Sequence, residues 1–144
     1  VSWSFLEHFS DPLTVVKQHA NILKPGGILI VMVPNLRGAY GPLVRFFRPD
    51  WFAIHNLEIM NRHRFAEIFA ESGLKPIFCG HHGLFSFQKL QAVPGSPKRH
   101  LLKMLFALQV PLNVFFNLVF RRGGPESAAF SQELLFIGRK PERS

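Results

Sequence analysis

Three groups of residues in this chain have types and spacings that could carry chemistry. The first is Glu7-His8, a carboxylate beside an imidazole, just ahead of Ser10-Asp11-Pro12. An imidazole can exchange a proton near neutral pH, and a neighbouring carboxylate can orient it. The second is the stretch from Pro34 to Met60, which holds Asn35, Arg37, Tyr40, His55 and Asn56 among Phe46, Phe47, Trp51 and Phe52. Long aromatic connections of this kind are more often functional than neutral. These five polar residues could line a lid over a substrate. A surface loop anchored by its aromatics is the alternative. The third is His81-His82, which could suggest a metal. Adjacent side chains in a strand point to opposite faces, and no carboxylate or thiol stands nearby at ligand spacing. No metal site is therefore expected, and the pair reads as structural or solvated. Gly26-Gly27 lacks the lysine and hydroxyl of a nucleotide loop and reads as a turn. Arg45, Arg48, Arg62 and Arg64 could bind an anion; a solvated face is the simpler account.

The elements that must position these groups follow from pattern. Of the 144 residues, 47% are hydrophobic and 18% charged, which suits one domain with a real core and excludes a wholly disordered chain. The lone Cys79 excludes an intrachain disulfide framework and a cysteine-rich zinc site. A net charge of +8 favours contact with something anionic without choosing among nucleic acid, acidic lipid and phosphorylated substrate. No signal segment opens the sequence, so secretion is not expected. Val1 to Phe9 is apolar and reads as a strand end. Asp11 caps a helix with Pro12 at its first position, and Leu13, Val16, Ala20 and Leu23 mark its buried face. Lys24-Pro25-Gly26-Gly27 stops it. Ile28 to Val33 is an unbroken apolar run, expected to form a central parallel strand buried on both faces. Strand, helix and strand make a βαβ unit. No sustained period is visible from Pro34 to Met60. Asn61 caps a second helix with Phe65, Ile68 and Phe69 inward and Gly73 as the stop. Pro76 to Phe87 reads as a strand interrupted by Gly80-His81-His82-Gly83. Residues 91–99 form a basic linker, and a last strand covers roughly Gln132 to Gly138.

Leu101 to Phe120 is close to membrane-spanning length and carries one charge, Lys103. Gln109, Asn113, Asn117 and Arg121 recur every four residues as a polar stripe, and Pro111 would kink the helix. Basic residues flank it: Lys98, Arg99 and His100 before, Arg121 and Arg122 after. Three readings stand: an in-plane membrane or lid helix, a packed core helix, and a true span.

The segments Leu6-Glu7-His8-Phe9-Ser10-Asp11-Pro12, Leu23-Lys24-Pro25-Gly26-Gly27-Ile28-Leu29-Ile30-Val31 and Val33-Pro34-Asn35 resemble the class I S-adenosylmethionine-dependent methyltransferases of the small-molecule type. His55-Asn56-Leu57, Glu71-Ser72-Gly73-Leu74 and the closing Leu135 to Pro141 are similar to later stretches of that family. The resemblance implies the C-terminal half of a Rossmann-like α/β domain, with strands four to seven, the last strand antiparallel, and an extra apolar helix before it. It implies S-adenosylmethionine as cofactor, with Ser2, Trp3 and Phe5 against its methionine part. It gives Glu7 and His8 a place beside the reaction centre, His8 as base or polarising group and Glu7 as its orienter; a purely structural junction, with the carboxylate on backbone donors, is the other reading. Asn35, Arg37, Tyr40, His55 and Asn56 would bind substrate.

The family's glycine-rich loop and its ribose-binding acidic residue have no counterpart here. Residues 1–144 are therefore expected to be a partial domain, inactive alone, that lacks the N-terminal cofactor-binding half and carries a helical insertion at 98–122. The expected function is methyl transfer to a small or lipid-like acceptor in the cytoplasm, peripheral at the inner membrane face. A membrane-surface binding module with a degenerate methyltransferase fold is the alternative. Nucleic acid is not an expected partner, since no amino-methylase signature or stacking motif is present.

Overall fold

The structure is a computed structural model that describes residues 1–120 and 126–142. Strand β1 (Ser2–Trp3) leads through a 3-10 turn at Leu6–His8 into α1 (Pro12–Ile22). Pro12 opens the helix and the Asp11 carboxylate accepts the Thr14 N–H at 3.2 Å, which satisfies one of its free first-turn donors. At the other end the Lys140 ammonium donates to the carbonyls of Ala20 (2.8 Å) and Leu23 (2.9 Å). A cation there suits both the unpaired carbonyls and the helix dipole. Gly26, at φ +76°, turns the chain into β2 (Ile28–Pro34).

β2 pairs with β1 in parallel, Ser2 opposite Val31, and with β4 (Glu133–Arg139) in antiparallel fashion, Val31 opposite Phe136. β3 (Lys75–His82) lies antiparallel on the far side of β4, giving the order β1-β2-β4-β3. The last strand thus opposes its neighbours, as the sequence leads one to expect. One face of the sheet carries Leu29, Val31, Val33, Leu134 and Phe136, all buried in one core with Val16 and Ala20 of α1 and Phe65, Ile68 and Phe69 of α4 (Arg62–Glu71). Phe69 stacks on Phe136 with ring centroids 3.7 Å apart. The expectation that β2 is buried on both faces fails: Ile28 is exposed, Ile30 and Met32 are half-buried, and only the alternate residues are fully covered. The apolar run overstates burial because no described helix covers that second face.

Two further expectations are corrected. The connection after β2 is not irregular, since it holds α2 (Tyr40–Phe47) and α3 (Pro49–Ala53). Tyr40, Val44 and Phe47 form the buried side of α2, a spacing of four and three too short to stand out from the surrounding aromatics. Gly80 does not interrupt β3, which runs through it to His82 and stops; Phe87–Lys89 is a 3-10 turn.

α5 (Lys98–Phe120) is continuous through Pro111. Its orientation overturns the packed-core reading. Gln109 points inward and is 2% exposed, accepting the Phe87 N–H at 2.6 Å and donating to Asn113 at 2.7 Å. Leu108, Val110 and Leu118 are 55%, 68% and 76% exposed. Of the polar stripe Gln109 alone turns inward, beside Leu102 and Leu105, Asn113 is exposed, and the outward side of the helix is largely apolar. The Asn117 side chain and the Arg121-Arg122 flank lie outside the described residues.

Candidate active site

Glu7 and His8 sit in the 3-10 turn at the carboxyl end of β1, where ligands of open α/β sheets gather. The segment after α3 closes over this turn. The backbone N–H of Asn56 donates to the Glu7 carbonyl at 2.6 Å, and the Asn56 amide donates to Phe9 at 3.0 Å while its oxygen accepts the Glu58 N–H at 2.9 Å. Asn56 thereby holds the turn through its backbone N–H and both ends of its side-chain amide. These bonds bring His55 beside His8, with ring centroids 4.7 Å apart, and Trp51 against His55 at 4.2 Å.

The His55 Nδ1 lies 2.6 Å from the Trp51 carbonyl. A carbonyl only accepts, so Nδ1 carries the proton and Nε2 is left with a free lone pair. That Nε2 is buried without a partner. Burial lowers the affinity of His55 for a second proton, which the Trp51 carbonyl opposes and His8 reinforces. The Glu7 side chain has no solvent exposure, and neither carboxylate oxygen has a hydrogen-bond partner. Burial pushes its carboxyl up to about 7, and the dipole of its own backbone N–H opposes this only in part. The junction reading, in which this carboxylate bonds backbone donors, is therefore not realised. His8, half exposed, holds its Nε2 3.9 Å from Glu7 Oε1.

Trp3 and Tyr40 line a cleft of about 300 Å³ next to this trio, together with Trp51, Lys89, Gln91, Gln132 and Glu133. Lys89 pairs with Glu133 and stands 5.8 Å over the Trp3 ring. Burial and the Glu133 charge hold the Tyr40 phenol far above its ordinary range, so it acts as a neutral hydroxyl. Ser4 adopts φ +47°, a left-handed backbone rare for serine, at the cleft edge. Ser2 is buried, Trp3 is 62% exposed, and Phe5 turns toward α1, edge-on to Phe9 at 4.8 Å.

Asn35 and Arg37 lie elsewhere. They border a separate cleft of about 590 Å³ with Arg62, His63 and His81. The Asn35 amide donates to the Ala128 carbonyl (2.9 Å) and the Ser131 carbonyl (2.8 Å), tying the end of β2 to the segment before β4. The five lid residues thus divide: His55 and Asn56 meet the Glu7-His8 turn, Tyr40 lines the Trp3 cleft, and Asn35 and Arg37 border the other cleft. Two of the arginines are already paired, Arg48 with Asp50 at 2.8 Å and Arg64 with Glu58 and Glu67, both at 3.3 Å. His81 and His82 face opposite sides of β3, as expected. Lys89, Gln91, Gln132 and Glu133 had no sequence signal, because only the return of β4 brings them to the cleft.

Comparison with known proteins agrees with this architecture. A SAM-dependent methyltransferase from Archaeoglobus fulgidus superposes with a TM-score of 0.54 at 15% identity, over 97% of this chain and 58% of that one. The 4+2 cyclase SpnF superposes with a TM-score of 0.49 at 18% identity, over 99% of this chain and 48% of that one. The chain thus spans about half the length of the solved structures it matches. No curated protein sequence matches it significantly. The methyltransferase domain family matches residues 1–77, just over half of the 144. With that match, and with a sheet of the same kind beneath it, the chain belongs to the methyltransferase domain family of class I enzymes.

Proposed function

We propose that these residues form the second half of a class I methyltransferase domain that moves a methyl group from S-adenosylmethionine to a lipid-like acceptor at a membrane surface. The observation that carries the choice of acceptor is the exposed apolar side of α5, with Leu108 55%, Val110 68% and Leu118 76% exposed. Its outward apolar face has no covering element among the described residues, and Lys98, Arg99, His100 and Lys103 crowd its first turns. Buried apolar area plus attraction to anionic headgroups is how an in-plane helix holds a bilayer. The protein then works in the cytoplasm, at the inner membrane face. The insertion, 98–122, is the docking device and the rest of the chain carries the chemistry.

The described residues fit one end of the cofactor. Trp3 and Phe5 are exposed aromatics at the outer edge of the sheet, and among the described residues β1 has no strand on its far side. With buried Ser2 they would wall the apolar methionine chain. The phosphate-loop-like turn and ribose-binding acid of the family would come from a first half of the domain, so the chain alone turns over nothing. When bound, the cofactor supplies a sulfonium methyl, whose carbon–sulfur electron pair returns to sulfur on displacement. The chain's own side chains orient the acceptor and handle its proton. A hydroxyl or amine nucleophile loses a proton as its new bond to carbon forms, and the Glu7-His8-His55 group, reached from the cleft past Trp51, would receive that proton. Trp51 and Tyr40 exclude water from the same end.

The test joins two assays on the intact enzyme. Sedimentation with vesicles of anionic lipid, but much less with neutral ones, and labelled-methyl transfer to extracted lipid support the reading. Both Glu7→Ala and His8→Ala should then lose transfer. Full activity in both variants removes the assigned site. Vesicle binding with no cofactor binding makes the protein a membrane module instead.

A further inference from the structure

One group within the site has a geometry that asks for a ligand of its own. Glu7, His8 and His55 each offer one donor atom, and these atoms lie within 4.8 Å of one another. Two of the three are buried and unpartnered: both oxygens of Glu7 and the Nε2 of His55. Unpaired buried polar atoms are rare in folded proteins, and an unpaired buried carboxylate is rarer still. A purely structural role would have given it a donor. The surrounding bonds also prepare the set. The Trp51 carbonyl fixes the His55 proton on Nδ1, the outer-shell arrangement that metal-ligating histidines use to present the other nitrogen. Asn56 pins the turn that carries Glu7 and His8 against the segment carrying His55.

We infer that Glu7, His8 and His55 bind a divalent transition cation through one carboxylate oxygen and two imidazole nitrogens, with the half-exposed His8 marking the side from which the cation enters. Two imidazoles and a carboxylate suit zinc and its neighbours rather than magnesium or calcium, which prefer all-oxygen sets. Bonds of about 2.1 Å would draw the donors to about 3.3 Å apart. Glu7 Oε1 and His8 Nε2 are now at 3.9 Å, and the half-exposed His8 is free to close that gap. The inference deepens the reading of this site given above, and rests on it for the cation's use. At the open position the cation would lower the pKa of a bound acceptor hydroxyl, whose proton then leaves to solvent water, so that no imidazole need abstract it. The binding claim itself needs no turnover.

The experiment is therefore a binding measurement on the full chain, without S-adenosylmethionine. Metal-free protein is titrated with Zn²⁺, and the visible spectrum is read with Co²⁺ as the probe. One Zn²⁺ per chain is expected, with intensified Co²⁺ bands of a low-coordinate site. Glu7→Gln should weaken binding at least about tenfold and abolish those bands. His8→Ala, at a half-exposed position that folding tolerates, should weaken it as well. No Zn²⁺ retained by the wild-type chain overturns the inference. So does binding whose affinity stays within twofold of wild type in both variants, which would put the ion on surface histidines. Because methyl transfer is not measured, failure here is distinct from failure of the function proposed above.

Discussion

At the scale of single residues, the most telling feature is a buried acid with nothing to bond. Glu7 is enclosed by the turn it belongs to and by the segment around Asn56, and in metal-free protein it imposes a desolvation cost with no compensation. Replacing it by leucine, of similar reach, should raise the unfolding free energy of metal-free protein by about 1–3 kcal/mol. Denaturant midpoints measure this; an unchanged or lowered midpoint would mean that the carboxylate has partners in solution. Residues that trade stability for function behave in this way. Gly41 makes the opposite case. A Cβ built there would stand 1.8 Å from the Leu36 carbonyl oxygen, so α2 can start where it does only with glycine at that position. Gly41→Ala should cost at least about 1–3 kcal/mol and displace Tyr40, the neighbouring cleft residue. Thermal melts give the first effect and Tyr40 fluorescence or NMR shifts the second. Glu7-His8 is legible in sequence as an acid-histidine pair. His55 is legible only as a lid residue, because its meeting with that pair depends on one backbone bond, from Asn56 to Glu7.

At the scale of elements, α5 decides most. Its polar stripe is visible in sequence, but a stripe does not say which way it faces. Usual practice would turn it to water. Here Gln109 accepts the Phe87 N–H, and so this one residue of the stripe turns inward while Asn113 stays exposed. Gln109→Ala should cost about 1–2 kcal/mol, since a buried donor loses its acceptor. Leu108→Glu with Leu118→Glu, both on the outward side, should leave the melting midpoint within the small range of surface changes yet strip the protein from anionic vesicles. Equal vesicle binding by the double variant would remove α5 as the docking element. The same limit explains α2 and α3. Two short helices among many aromatics give no period long enough to recognise, and tertiary contact through Tyr40, Val44 and Phe47 forms them.

On the scale of the whole molecule, the sheet is covered unequally. One face is sealed by α1 and α4 around Phe65, Phe69 and Phe136, and the other leaves Ile28 and Phe78 exposed. Stability should concentrate on the sealed side. Phe136→Ala removes the ring stacked on Phe69 and should cost about 3–5 kcal/mol, unfolding much of the chain near room temperature. Circular dichroism would report it. The open face and the two-residue edge strand β1 are the parts of the sheet that no described element covers.

Local signals were enough to specify α1, β2, α4 and the last strand, because caps, glycine stops and apolar spacing act between residues close in the chain. They also sufficed for the family, whose motifs are runs of adjacent residues around two strand ends. Which polar groups share a cleft was decided only by tertiary structure. Lys89 reaches Glu133, Asn35 reaches Ser131, and His55 reaches His8 across separations that no local pattern encodes. Those meetings depend on strand order and on which carbonyls were left free, and both are settled only when the sheet closes.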